Sequence, residues 1–274
     1  MTITTRHSGN VVPPQSTQSS LRLAIVSEWT KLRSVRSTVL SLIATSGFTI
    51  GLGALFTWAF LHRDEHDAAD AFRFDPTSHS LRGIFLAQLA IGVLGVLVMS
   101  SEYSTGMIRT SIAAVPQRRL FLASKGIVLG VVAFVVSMTS CFIAFFVGQA
   151  VLSSQHLGVS IHDPEVLRAV LGAGAYLTMI ALLGLAIGTI VRRTPGAISV
   201  FVGIVLILPL LTEALPKPWN VNIGRLLPFN AGQAMFNVRV DPDLLTPAKG
   251  AFIFLAWIAA AFIIATGLIS TRDV

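Results

Sequence analysis

The sequence predicts an all-α membrane protein that crosses the bilayer several times. Of its 274 residues, 53% are hydrophobic and 12% are charged, with a mean hydropathy of +0.75. Soluble domains carry about 25% charged residues, so the excess apolar surface must face lipid. Six apolar runs approach the roughly 20 residues that a helix needs to cross a bilayer. They lack the strict alternation of a membrane β-barrel, which favours helices.

The six runs define one predicted transmembrane domain, residues 38–270. The predicted spans cover residues 38–60, 83–100, 126–152, 167–191, 197–212 and 250–270. The fifth run is short and can continue to Leu215, which would place Glu213 at the membrane surface. Residues 1–20 are polar and predict a disordered cytoplasmic tail, and residues 271–274 predict a cytoplasmic C-terminus.

Residues 21–37 predict an amphipathic helix just before the first span. Its apolar residues recur every three or four positions, and the cations Lys31, Arg33 and Arg36 lie between them. Trp29 adds a residue typical of membrane surfaces. An ordinary helix packed on protein has the same pattern, but the span that follows directly favours a position at the membrane surface.

The distribution of cations predicts the orientation. With a cytoplasmic N-terminus, twelve Lys and Arg residues fall on the inner side and eight on the outer side, and three of the thirteen acidic residues are inside. Cytoplasmic loops are enriched in Lys and Arg. The count therefore predicts six spans with both termini in the cytoplasm.

The polar connection between the second and third spans, residues 101–125, would then be the longest inner loop. It predicts a short helix over residues 104–114 that stops at Pro116. Arg118, Arg119 and Lys125 would meet lipid headgroups before the third span. Spacing alone leaves two interpretations open: a solvated loop that fixes topology, or a docking element for a cytoplasmic partner.

Three segments carry a family resemblance: SEWTKLRSVRST (27–38), SSEYSTGMIRTSIAAVPQRRLFLASK (100–125) and LPFNAGQAMF (227–236). They resemble the membrane subunits of type-2 ABC transporters, and the chain is similar to the small six-span permeases common in actinobacteria. The resemblance implies that the 21–37 helix is the family's interface helix. It also implies that the loop after the second span carries a coupling helix, which docks on an ATPase subunit.

By resemblance, several residues are expected at those two elements. The expected ATPase-coupling residues are Glu102, Met107, Arg109, Pro116, Arg118 and Arg119, and those of the interface helix are Trp29, Lys31, Arg33 and Arg36. Glu102 would sit at the membrane edge and pair with a nearby cation. Arg192 and Arg193, between the fourth and fifth spans, would anchor a turn to headgroups or form a second ATPase contact.

The resemblance implies a permease subunit of an ATP-driven exporter in the bacterial plasma membrane, with an amphipathic or hydrophobic cargo. The chain has no phosphate-loop motif, so it is not expected to be an enzyme or to bind a cofactor itself. ATP and Mg²⁺ would bind a separate ATPase, in two copies, beside a second permease copy and membrane lipid. No nucleic-acid partner is expected.

The predicted spans contain no acidic residue, Lys, Arg or His at depth, which argues against a proton- or sodium-coupled carrier. The same absence leaves no catalytic group within the spans. A metal site at residues 62–67, in the loop after the first span, is also disfavoured. Gln88, in the second span, would line a translocation path or join two helices. The alternative function is a membrane scaffold or immunity subunit that sequesters a peptide or partner without transporting it.

Overall fold

The computed structural model describes residues 17–62, 75–115, 117–238 and 245–271, with side chains from Leu21 onward. Throughout these ranges the regular structure is helical, which confirms the all-α prediction. Six of the helices are long and apolar enough to cross a membrane. The protein is therefore a polytopic membrane protein.

We number the helices of the described ranges in chain order. They are α1 (Thr17–Ser34), α2 (Arg36–Leu61), α3 (Pro76–Ser80), α4 (Ile84–Ser104), α5 (Met107–Ala114), α6 (Arg118–Ser153), α7 (Val166–Val191), α8 (Thr194–Glu213), α9 (Trp219–Gly224), α10 (Pro228–Phe236) and α11 (Pro247–Thr271). The membrane-spanning helices are α2, α4, α6, α7, α8 and α11. Within α2 and α8, single π-helical turns occur at Phe48–Leu52 and Gly203–Ile207.

The centre of the bundle is the packing of α4 against α7. At Gly95, Gly184 and Gly188 the two backbones approach so closely that a Cβ atom would collide with the facing helix. Small residues permit this kind of contact between membrane helices. Around this pair, α6 packs on α7, while α2 and α8 keep most of their residues on the surface of the chain.

Six crossings place α1 and the last turn of α11 on the same side of the membrane, which we call the α1 side. The short helix α5 lies there too, because it follows the second crossing. On the opposite side lie α3, α9 and α10, with α3 capped by Asp75, whose Oδ1 accepts from the backbone N–H of Thr77 at 3.0 Å.

Several helix ends differ from those expected from the sequence. α1 begins at Thr17, within the stretch expected to be disordered, and α4 and α6 extend well beyond the predicted spans into the connection between them. Glu102 and Lys125 therefore lie inside long helices, where each is the other's partner. Residues 1–16, Pro116 and 272–274 lie outside the described residues.

Candidate functional site

The helix α5 lies between α4 and α6. The turn that precedes it and the packing of its isoleucines set its position. Gly106 turns the chain from α4 into α5 with φ = +74°, a left-handed conformation that favours glycine. Ile108 is buried beneath α5, and Ile112 packs against the same core. Met107 and Arg109, which flank Ile108 on either side, are exposed.

Four charged side chains meet beside α5 and form what we call the charge ring: Glu28 and Lys31 of α1, Glu102 of α4 and Lys125 of α6. The Nζ atom of Lys125 lies 2.7 Å from Oε2 of Glu28 and 2.6 Å from Oε1 of Glu102. The Nζ atom of Lys31 lies 2.8 Å from Oε1 of Glu28 and 3.0 Å from the same Glu102 oxygen. The ring therefore ties three helices together.

The charge ring also reaches α5 itself. Lys31 donates a third hydrogen bond, of 3.2 Å, to Oγ of Ser111. The third proton of the Lys125 ammonium faces the backbone carbonyl of Val98 at 3.4 Å. Both ammonium groups thus have three acceptors each, which is their full donor capacity.

Burial makes the charge ring energetically significant. Glu28, Glu102 and Lys125 are buried, and only Lys31 is partly exposed. Isolated charges in such surroundings are costly, but here two carboxylates face two ammonium groups, so the ring is neutral. Partial burial disfavours the charge on Lys31, yet the hydrogen bonds and charges of Glu28 and Glu102 outweigh it and raise the pKa of Lys31.

One oxygen of the charge ring stays unused. Oε1 of Glu102 accepts from both lysines, whereas Oε2 of Glu102 is buried and has no hydrogen-bond partner within the described part of the chain. A carboxylate can accept about four hydrogen bonds. Every ammonium proton of the charge ring therefore has an acceptor, whereas one carboxylate oxygen, Oε2 of Glu102, accepts no hydrogen bond from the described residues.

The structure corrects the expectations for the cations after α5. Lys125 does not meet headgroups, because it is buried in the charge ring. The Nη1 atom of Arg118 donates to the backbone carbonyls of Ile269 at 2.8 Å and Ser270 at 3.4 Å. Arg119 is exposed, and its contact with headgroups stays a prediction.

The turn between α7 and α8 reaches the same helix end. Arg192 donates from Nη2 to the carbonyl of Leu268 at 3.2 Å, and its guanidinium lies over the ring of Tyr103, 5.1 Å from the centroid. Two connections of the α1 side thus converge on the last turn of α11. Arg193 follows as the residue before α8.

The predicted interface helix divides its residues differently from the expected pattern. Trp29, Arg33 and Arg36 are exposed, as a helix on a lipid surface requires. Lys31 was expected on the same basic face, but it turns inward because Glu28, one turn earlier, and Glu102 both accept from it. Leu32, one of the apolar residues of this helix, is buried within the chain.

Gln88 is fully buried between α4 and α7. It accepts a hydrogen bond from the hydroxyl of Tyr176 through Oε1 and donates from Nε2 to the carbonyl of Phe85 at 3.1 Å. Tyr176 in turn contacts the rings of Phe236 and Phe254. This geometry fits the helix-joining alternative, and a role of Gln88 in a translocation path stays a prediction.

A cavity of about 150 Å³ lies against the charge ring, between the α1–α2 junction and α4. Apolar side chains form most of its wall, including Leu32, Val35, Leu94, Leu97 and Val98, and its polar boundary includes Ser101 and the charge ring. Val35 is exposed at the corner where α1 meets α2. The cavity is therefore mainly apolar. One end is formed by the charged side chains of the charge ring, whose net charge is zero.

Comparison with known families decides which kind of membrane protein this is. The family described as ABC-2 family transporter protein matches residues 24–209, more than half of the chain. The chain belongs to the ABC-2 transporter family. The match includes α1, the charge ring and α5, and ends within α8. A comparison with curated proteins found no match.

An ABC-2 protein of this kind is a membrane permease subunit of an ABC transporter. It is not itself catalytic, and the family implies that it works with an ABC ATPase subunit. The groups that the structure brings together on the α1 side form a neutral, buried ion-pair network that holds the short helix α5 in place.

Proposed function

We propose that this ABC-2 permease exports an amphipathic or hydrophobic molecule across the bacterial plasma membrane, and that α5 is the coupling helix on which its ATPase docks. The α1 side is then cytoplasmic, in agreement with the excess of Lys and Arg there. Two permease copies and two ATPase subunits form the working assembly. ATP and Mg²⁺ bind the ATPase.

The observation that carries the proposal is the charge ring. It fixes α1, α4, α5 and α6 to one another while Met107 and Arg109 face outward. A force applied to α5 is therefore passed to two spanning helices and to α1 instead of being absorbed by a loose loop. Expected ATPase contacts are Met107, Arg109 and Arg119, while Glu102 positions α5 through the charge ring. Arg118 acts through its contact with the last turn of α11.

The inner hydroxyls support an apolar or amphipathic cargo. Thr45, Thr49 and Thr57 on α2 each donate to the carbonyl four residues earlier, at 2.8 Å. Their hydroxyl donors are thus used within the helix and the three residues are buried, while the large exposed residues of α2 are mainly apolar. A strongly polar molecule would not recover its hydration along such a wall.

The test is co-purification with an ATPase encoded beside the permease, followed by ATP hydrolysis and transport in proteoliposomes. Reversal of the exposed charge in Arg109→Glu should weaken ATPase capture roughly tenfold or more, the loss expected for an interface anchor. The matched control is Arg225→Glu, an equally exposed cation on the opposite side, which should leave capture unchanged.

Unchanged capture and transport in a Met107→Asp, Arg109→Glu double variant would refute α5 as the docking element. The scaffold alternative predicts a different result. It predicts retention of a peptide at the membrane with no ATPase in the complex and no ATP-dependent flux. The same preparation therefore separates the two functions.

A further inference from the structure

We propose that the cavity against the charge ring binds the head of a neutral, hydroxyl-bearing amphipath, such as a long-chain alcohol, taken from the membrane leaflet on the α1 side. The inference deepens the proposed function and rests on it only in taking the bound molecule as cargo. Three observations support it: the position of the cavity, its apolar wall and the carboxylate oxygen of Glu102 that accepts no hydrogen bond within the described part of the chain.

The position of the cavity favours an occupant from the lipid layer. It lies where α1 turns into α2, and the neighbouring Val35, Val39 and Leu40 are exposed apolar residues of the membrane-facing surface. Arg33 and Arg36, also exposed, mark the level of the headgroups. A molecule anchored at that level has its chain in lipid and its head beside the cavity.

The size and wall of the cavity limit what enters it. A cavity of about 150 Å³ holds a body of roughly benzene size. Leu94, Leu97 and Val98 provide an apolar wall along α4. The cavity therefore accommodates a small head and the first carbons of a chain, and the remainder of the chain stays in the bilayer.

The charge ring selects the chemistry of the head. Lys31 and Lys125 each have three acceptors, so neither offers a spare proton to a phosphate or carboxylate. An added cation would meet two lysines that already share the Glu102 carboxylate. The open group is an acceptor, Oε2 of Glu102. A neutral hydroxyl donor satisfies it without disturbing the charge balance.

The buried oxygen becomes reachable through a small motion. The terminal torsion of a glutamate is broad, so a partial rotation of the Glu102 carboxylate costs little. Because Glu102 itself lines the cavity, such a partial rotation turns Oε2 towards the incoming hydroxyl while Oε1 stays within reach of the lysines. The site therefore senses its occupant through the same residue that holds α4 to α6.

The experiment uses the full chain in phosphatidylcholine nanodiscs and a hexadecanol that carries a photoreactive diazirine near its head. Hexadecanoic acid and hexadecylamine with the same group are the matched probes. We expect the alcohol to label peptides from the C-terminal part of α4 and from the α1–α2 junction, and to label them more strongly than the acid or the amine.

Two substitutions that fill the cavity, Leu97→Trp and Val98→Phe, should each reduce this labelling roughly tenfold. The control Leu55→Trp, on the exposed surface of α2 towards its other end, should leave it unchanged. Labelling spread over all lipid-facing helices and insensitive to both filling variants would overturn the site. Stronger labelling by the acid or the amine would overturn the assigned chemistry.

A second measurement tests whether the occupant is cargo. With the partner ATPase present, hexadecanol should stimulate ATP hydrolysis in the native chain and not in the Leu97→Trp variant. Labelling at the cavity without stimulation would overturn the cargo assignment. Failure of the chain to couple to any ATPase would refute the proposed function but would leave the labelling result intact, so the two failures are distinguishable.

Discussion

The Nζ atom of Lys125 lies 2.6 Å from Oε1 of Glu102, across the start of α6 and the end of α4. The side chain of Lys125 is 1% exposed, so this pair is inside the protein and not on a wet surface. It closes a hairpin of helices whose tip is α5. Since Glu28 also contacts Lys125, the same contact sets the position of α1 against the hairpin.

Replacement of the lysine at the centre of the charge ring should destabilise the protein strongly. In Lys125→Met, two buried carboxylates share one partly exposed lysine. Removing one member of a buried pair typically costs about 3–5 kcal/mol because an uncompensated charge remains. We expect a corresponding fall in the thermal unfolding midpoint in detergent.

The control for this variant is Arg119→Met, which removes an exposed cation six residues earlier and should shift the midpoint little. A Glu28→Gln, Lys125→Met double variant restores charge neutrality, and it should recover part of the loss. Equal midpoints for Lys125→Met and Arg119→Met would contradict the charge ring as a stabilising element.

The turn into α5 provides a test of the helix itself. In Gly106→Ala, a residue with a side chain must adopt φ = +74°, which costs about 1–2 kcal/mol. No other atom lies within 4 Å of the added Cβ, so strain and not collision is the cause. We expect amide hydrogen exchange across α5 to accelerate about fivefold or more.

Gly47→Ala is the matched control for Gly106→Ala. It also places a Cβ in open space, but in an α-helix and at φ = −61°, where alanine is the better residue. Its exchange should stay unchanged or become slower. If Gly106→Ala leaves the exchange of α5 at the native rate, the left-handed turn is not what holds this helix in place.

Much of the architecture is predictable from the sequence because each span carries its own apolar signal. The charge ring is not, because its members are 97 residues apart between Glu28 and Lys125 and lie on three helices. Glu28 was counted only for topology. One local signal was available, since Glu28 and Lys31 are three residues apart on a helix and can pair there.

The helix ends between α4 and α6 differ from the predicted ones for a related reason. A hydropathy pattern ends a span at the first charged residue, so the polar connection seemed to begin before Glu102. Pairing across helices removes the cost of burying these charges, and the helices continue. For the same reason, the sequence alone predicts a headgroup contact for Lys125, because its two carboxylate partners lie on other helices.

His79, in α3 on the opposite side, predicts a pH dependence of stability. Burial, and to a lesser degree the nearby Arg82, lower its pKa to about 4, while Asp75 acts in the other direction. The unfolded chain takes up the proton near pH 6.5, whereas the folded chain does so only near pH 4. The stabilisation is therefore complete above about pH 6.5 and falls as the pH decreases towards 4.

The change should amount to at most about 3 kcal/mol and is measured by thermal unfolding at pH 7.0 and pH 4.5. The His79→Gln variant should lose less stability on acidification than the native chain. His162→Gln, which removes an exposed histidine, should retain the native pH dependence. Identical pH profiles for the native chain and His79→Gln would contradict the assignment.

The last turn of α11 depends on a cation at the start of α6. The final carbonyls of a helix have no partner within it, and positive charge there is favourable by about 1 kcal/mol. Arg118 supplies both a donor and a charge to the carbonyls of Ile269 and Ser270. In Arg118→Met we therefore expect hydrogen exchange in the last turn of α11 to accelerate about fivefold, while the centre of α11 is unaffected.

Arg119→Met removes the neighbouring, exposed cation and should leave this turn unchanged. Equal exchange in the two variants would mean that Arg192, which donates to Leu268, holds the helix end without help, and that α6 passes no movement to α11 through Arg118.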